Sequence, residues 1–126
     1  MSALYGDVIA EHFRRPRNQG RLDSPDASYE DVNPLCGDRL RIELSIRGGR
    51  IEAARFHANA CMVATAVASL LTGFVEGLSL DEATRFPRER LFEALKAPLR
   101  PSRIACATLP LDVLRGAIER FGGGPR

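Results

Sequence analysis

The sequence predicts an α+β fold, a single domain over residues 1–126 with a small three-stranded antiparallel sheet packed by about five helices. Three observations carry this. Residues Arg39 to Ile46 alternate, with Leu40, Ile42, Leu44 and Ile46 set against Arg39, Arg41, Glu43 and Ser45, the period of a strand with one buried face. Arg47-Gly48-Gly49-Arg50 reads as a hairpin turn, after which Ile51, Ala53 or Ala54, Phe56 and Ala58 supply the partner strand. From Ala58 to Val75 the chain then carries no charge while Val63, Val67, Leu70 and Phe74 recur at helical spacing, as in a central core helix.

The other elements follow in order. Leu4, Tyr5, Val8, Ile9, His12 and Phe13 give an amphipathic helix of about three turns, with Ser2 as N-cap and Pro16 closing it. His12 shares the broad apolar face and reads as a packed residue, not a ligand. Arg14 to Pro25 is an irregular surface loop with four arginines, a solvated face or one that docks an acidic partner surface. Ser28 to Val32 is a short strand candidate. His57 falls with Arg55 and Asn59 opposite Phe56 and so faces solvent; a ligand or supporting role is its other reading. Ser79 and Glu82 form a capping box for a short helix ended by Pro87, and Arg88 to Lys96 is another helical run. Ala97 to Arg103, with Pro98 and Pro101, reads as extended and delivers Cys106 to the start of a last helix carrying Leu111, Leu114, Ile118 and Phe121.

Composition excludes several classes. The 126 residues are 44% hydrophobic and 27% charged, ordinary for one globular domain with a real core. A formal charge of +2 falls short of a nucleic-acid footprint, and the aromatics do not interleave with the basic residues as a stacking platform requires. The uncharged stretch contains Asn59, Thr65, Ser69, Thr72 and Gly73 and has no aromatic belt, so a buried helix explains it better than a membrane span. Three cysteines cannot all enter a closed disulfide framework and no leader is evident, which points to a reducing cytoplasm.

Chemistry gathers at Asn33-Pro34-Leu35-Cys36-Gly37-Asp38. Pro34 and Gly37 mark a tight turn, and a thiol and a carboxylate stand two residues apart in it. The remaining cysteines, Cys61 and Cys106, each stand where an apolar helical pattern begins, and a helix N-terminus favours thiolate, the form that binds metal and attacks sulfur. Cys36, Asp38, Cys61 and Cys106 make four ligands, the number tetrahedral zinc or the iron of a cluster wants. The carboxylate is the weaker, harder ligand and suits a site that exchanges its load. Four negative charges against two positive ones leave the loaded site net −2, to be compensated by Arg39, Arg103 or backbone N–H groups. Buried cysteines without metal, a structural zinc module, and a thiol enzyme using His12 or His57 as base are the competing readings.

These motifs resemble a known family. Tyr5-Gly6-Asp7-Val8-Ile9 with His12-Phe13-Arg14-Arg15-Pro16-Arg17-Asn18, the Cys36 turn, Ala60-Cys61 with its small-residue helix, and Arg103-Ile104-Ala105-Cys106-Ala107-Thr108-Leu109 are similar to the IscU, SufU and NifU-N-terminal iron-sulfur cluster assembly scaffolds over nearly the whole chain. The resemblance implies a SufE/NifU-like α+β fold and a site of Cys36, Asp38, Cys61 and Cys106. It implies sulfur received from a cysteine desulfurase, with Cys106 as the persulfide acceptor we favour from Arg103 and its helix terminus. It further implies a transient [2Fe-2S] cluster, Zn2+ or Fe2+ in the same site, acceptor apo-proteins, and a frataxin-like or ferredoxin partner. Such a protein is a scaffold and not an enzyme in the main reading, and a zinc-dependent sulfurtransferase in the alternative.

Two departures stand out. Ala105 occupies the position where the IscU branch has histidine and the SufU branch commonly lysine, so no fifth ligand stands there. Leu99-Arg100-Pro101-Ser102-Arg103 keeps only the leucine, one proline and a basic end of the Leu-Pro-Pro-Val-Lys segment by which IscU proteins bind an Hsp70-type chaperone, so that partner does not carry over. Cys106-Ala107-Thr108-Leu109 is similar to the SufU branch, whereas the 44 residues between Cys61 and Cys106 match the IscU branch, which lacks the SufU insertion.

Overall fold

A computed structural model describes residues 6–34 and 37–123. Helix α1 (Gly6–Arg14) leads to strands β1 (Ala27–Val32), β2 (Arg39–Arg47) and β3 (Arg50–Asn59), then helices α2 (Met62–Val75), α3 (Leu80–Thr84), α4 (Arg88–Leu95) and α5 (Pro101–Gly123). The expected N-cap Ser2 and the first apolar residues of the α1 pattern lie outside the described residues.

The strands form one antiparallel sheet in the order β1-β2-β3. Alternation fixes which face is buried: Leu40, Ile42 and Leu44 of β2 and Ile51, Ala54 and Phe56 of β3 are sealed from solvent. Opposite Phe56, His57 is exposed, as its register requires. The buried face packs on α2 and α5, and one cluster of buried apolar residues runs from Ile9 through the sheet to Leu114 and Ile118. Helix α2 lies inside this core on most sides, which explains its lack of charge: Val63, Ala64, Ala66, Val67, Ala68, Leu71 and Val75 are all buried. Among the described residues, no helix is long and apolar enough to cross a membrane.

The segment after α1 is tied to this frame. Gly20 N–H donates to the Phe56 carbonyl and Phe56 N–H to the Asn18 carbonyl, so residues 18–20 run along the outer edge of β3. Helix α5 covers the sheet from β1 to β2 and depends on one close approach. At Gly116 an added Cβ would stand 2.6 Å from the Tyr29 ring, so only glycine lets α5 lie this close to β1.

The last helix corrects the sequence expectation. It begins at Pro101, five residues before Cys106, and Arg103 N–H already donates to the Arg100 carbonyl at 2.8 Å. Proline fixes φ near the helical value and lacks only an N–H that the first turn cannot use, so Pro101 starts a helix here and does not keep the chain extended.

Candidate metal centre

Asp38 comes from the turn between β1 and β2. Gly37 N–H donates to the Asn33 carbonyl at 2.7 Å, Asn33 N–H to the Asp38 carbonyl at 2.8 Å, and Gly37 takes φ 76°. That left-handed conformation at low cost is what glycine supplies directly after the thiol position. The turn drives the Asp38 carboxylate inward to 6% exposure, where Oδ1 accepts the Cys61 N–H at 3.1 Å.

Cys61 is the N-cap of α2. Strand β3 ends at Asn59, Cys61 keeps extended backbone, and its Sγ accepts the Ala64 N–H at 3.5 Å, taking the place of a capping serine oxygen. The sequence reading of this cysteine as the opening of the helix therefore holds. Cys106 differs. It lies in the second turn of α5 and is 2% exposed, so the helix-terminus argument for its thiolate does not apply; its neighbour Ala105 points to solvent.

Three of the four residues expected in the site converge. Ligand atoms of Asp38, Cys61 and Cys106 all lie within 4.8 Å of one another. Zinc sits about 2.3 Å from sulfur and about 2.0–2.2 Å from carboxylate oxygen, so two sulfurs on one metal are at most about 4.6 Å apart, and small side-chain adjustments would bring these three donors onto one metal. Cys36 lies outside the described residues. His12 is held elsewhere, its Nδ1 2.7 Å from Ser69 Oγ, and His57 is exposed on the sheet. Neither belongs to a ligand group among the described residues.

One oxygen tests whether the residues fit a cation. Asp38 Oδ2 is buried and, among the described residues, has no hydrogen-bond partner. A buried carboxylate oxygen without a donor is costly unless a cation or another donor compensates it. The donor set around it, two sulfurs and a carboxylate, is one that zinc and iron take. Of the two arginines expected to offset the charge, Arg39 instead meets Glu30 at 2.8 Å on the exposed sheet face. Arg103 does stand at the site, lining with Cys61, Met62 and Val63 a small cavity of about 150 Å³.

The structure also holds features that no motif signalled. Nothing in the spacing of the sequence indicated that the Asp38 carboxylate would bond the backbone of Cys61 and so lock the β1–β2 turn to the start of α2. Pro110 lies inside α5, four residues after Cys106, and has no N–H to offer the Cys106 carbonyl in the usual helical bond.

Comparison with known proteins now identifies the fold family. The model of the NifU-like N-terminal domain matches residues 4–125. The chain belongs to that family. It is 34% identical over 118 residues to the iron-sulfur cluster assembly scaffold protein IscU 1 of Archaeoglobus fulgidus, covering 94% of this chain and 76% of the relative. It is 31% identical to the zinc-dependent sulfurtransferase SufU of Bacillus subtilis, over 98% of this chain and 95% of that one. That alignment spans 144 positions, more than the 126 residues here, so the SufU protein carries residues with no counterpart in this chain. The crystal structure of a NifU-like N-terminal protein from Brucella abortus superposes with a TM-score of 0.80 at 23% identity, over 97% and 96% of the two chains, and has the same fold.

Proposed function

We propose that this NifU-like chain is an iron-sulfur cluster assembly scaffold. It accepts sulfur from a cysteine desulfurase, assembles a labile [2Fe-2S] cluster on Cys36, Asp38, Cys61 and Cys106, and passes it to acceptor apo-proteins, without itself being an enzyme. The observation that carries this reading is the convergence of Asp38, Cys61 and Cys106 around a buried carboxylate oxygen that lacks a donor among the described residues. The kinship to IscU scaffold proteins supports it. One domain over residues 1–126 is part of the reading, as is a reducing, cytoplasmic setting that keeps the thiols available as ligands.

Each residue has a role. Cys36, Cys61 and Cys106 supply thiolates, the soft donors that hold iron or zinc. Asp38 is the weakest ligand and the one through which the cluster leaves. Arg103 offsets part of the negative charge at the mouth of the site. Of the two described thiols, Cys61 is the better placed sulfur receiver: it is half-buried beside the cavity, whereas Cys106 is closed off and has lost the helix-terminus argument that favoured it. A frataxin-like or ferredoxin partner would follow from the scaffold role; an Hsp70-type chaperone is left out of the reading, since Leu99-Arg100-Pro101-Ser102-Arg103 keeps only the leucine, one proline and a basic end of the IscU chaperone-binding segment.

A second reading, zinc-dependent sulfur transfer by the same residues, is favoured by the full-length kinship to SufU. Anaerobic reconstitution with iron, sulfide and a desulfurase, followed by visible absorption and Mössbauer spectra, separates the two. A scaffold yields a [2Fe-2S] spectrum that apo-ferredoxin takes over. Zinc retained through reconstitution, with sulfur passed onward and no cluster formed, would establish the second reading instead. Asp38→Ala is expected to bind cluster but release it to apo-ferredoxin more slowly; faster or equal release together with a large fall in melting temperature would assign Asp38 a structural role.

A further inference from the structure

Outside the metal centre, one stretch of surface is charged in a way that the fold does not require. Phe13, Arg14, Arg15, Arg17 and Arg21 are all exposed, and Phe13 is 41% exposed although Ile9, one turn before it, is fully buried. The backbone beneath them is held largely by other groups. Arg17 N–H donates to Ser69 Oγ at 2.8 Å, Asn18 Nδ2 to Thr72 Oγ1 at 3.4 Å, and Leu22 N–H to Glu43 Oε1 at 2.8 Å. Together with the pairing of residues 18–20 on β3, these bonds fix the segment from its inner side. Arg14, Arg15 and Arg21 form no ion pair among the described residues, and the Arg17 guanidinium meets Glu11 at 3.5 Å on the surface and donates to the Arg15 carbonyl at 3.0 Å. The dipole of α1 accounts for one cation in its last turn, Arg14, but not for the arginines beyond it or for the exposed ring.

We propose that Phe13 and the arginines around it form a docking surface for an acidic protein partner that offers an apolar socket to the ring. Aromatic and arginine side chains carry most of the energy where proteins meet. A segment already fixed from within loses little further freedom on binding. Complementary charge sets orientation and encounter rate. One exposed ring is no stacking platform for bases. The apolar stripe of α1 is spent on the core through Ile9 and Ala10, so it has no free face to lay on a lipid surface. The loop is anchored at Ser69, eight residues along α2 from Cys61, or about 12 Å at 1.5 Å per residue. A partner docked there leaves the half-buried Cys61 uncovered, and the surface stands whether or not the scaffold reading holds.

The test uses the full-length chain and short fluorescent peptides: glutamates flanking leucines, glutamates alone, and lysines flanking the same leucines. The glutamate–leucine peptide should bind best, and binding should weaken as salt rises, since the screening length falls from about 10 Å at 0.1 M to about 3 Å at 1 M. Arg14→Glu/Arg15→Glu and, separately, Phe13→Ser should each weaken it by about tenfold or more, with melting temperature and metal content unchanged. Equal binding by both variants, no binding by wild type, or stronger binding to a single-stranded oligonucleotide or to phosphatidylglycerol vesicles would overturn the proposal.

Discussion

Helices α2 and α5 each bring one cysteine to the same site, and they do it in opposite ways. Helix α2 starts at its cysteine: the strand before it ends at Asn59, Cys61 caps the first turn, and Asp38 bonds the Cys61 backbone. Helix α5 starts five residues early, at Pro101, and carries Cys106 buried in its second turn. The first thiol is thus positioned by a cap and a hydrogen bond, the second by packing. A ligand held by a cap can shift when the turn beside it shifts, whereas a ligand held in a packed helix moves only with that helix. The site therefore has a side held by hydrogen bonds, at Asp38 and Cys61, and a side held by packing, at Cys106.

Breaking the ligands should give the largest effects and should expose this asymmetry. Cys61→Ser and Cys106→Ser should each lose most of the bound metal, because removing one thiolate leaves an incomplete shell. In the metal-free protein the two should part. Cys106→Ser places a hydroxyl in a packed position and should lower stability by about 1–3 kcal/mol, while Cys61→Ser keeps a good capping oxygen and should change it little. Metal analysis and denaturant unfolding of the same samples check both halves; equal stability losses would refute the asymmetry.

The packing of α5 is tested at Gly116. Gly116→Ala should cost about 1–3 kcal/mol, since its methyl group would meet the Tyr29 ring at 2.6 Å and force helix and strand apart. If packing is what fixes Cys106, metal affinity should fall with it. A stable variant with unchanged affinity would show that α5 is positioned by something other than this contact.

On the α2 side the anchors are polar. Ser69 is almost fully buried, accepts the Arg17 N–H and meets His12 Nδ1, so Ser69→Ala should cost about 1–3 kcal/mol by leaving a part-buried N–H without its acceptor. Denaturant unfolding measures this, and hydrogen exchange at Arg17 should rise. A change within experimental error at both would mean that the segment after α1 is held by β3 alone.

The smallest effect concerns pH. His12 is held below its ordinary value of 6.5, first by burial, then by the Arg17 charge, with Glu11 opposing them. A histidine whose folded value is depressed favours the neutral form in the fold. Its contribution is fully present above about 6.5 and is lost as pH falls below that, because the unfolded chain takes up the proton more readily. Stability should therefore rise with pH through this window, and His12→Gln should flatten the slope. An unaltered slope in the variant would remove His12 as its source.

Much of this was legible in the sequence for local reasons. The alternation of β2, the Gly48-Gly49 turn and the uncharged run of α2 each reflect a period that one face of one element imposes, and all three elements stand where they were expected. The capping box is another local device: Ser79 Oγ accepts the Glu82 N–H, and Glu82 Oε1 accepts the Ser79 N–H. The start of α5 was misread for an equally local reason. A proline ends a helix when it falls inside one and begins a helix when it falls at the first position, and the dipeptide pattern around Pro98 and Pro101 does not say which.

What the sequence by itself determined was the set of elements, the buried face of each strand, and the ligand chemistry available in three thiols and a carboxylate. Each of these depends on side-chain type and on spacing within a few residues. Only the tertiary structure decided that Asp38 bonds the Cys61 backbone, that Cys106 meets them from the interior of a helix, that Arg39 turns to Glu30 while Arg103 stays at the site, and that Gly116 must be glycine. Those contacts join residues tens of positions apart, and which of them form depends on how α2 and α5 pack against the sheet, a consequence of the whole core that no short stretch of the chain contains.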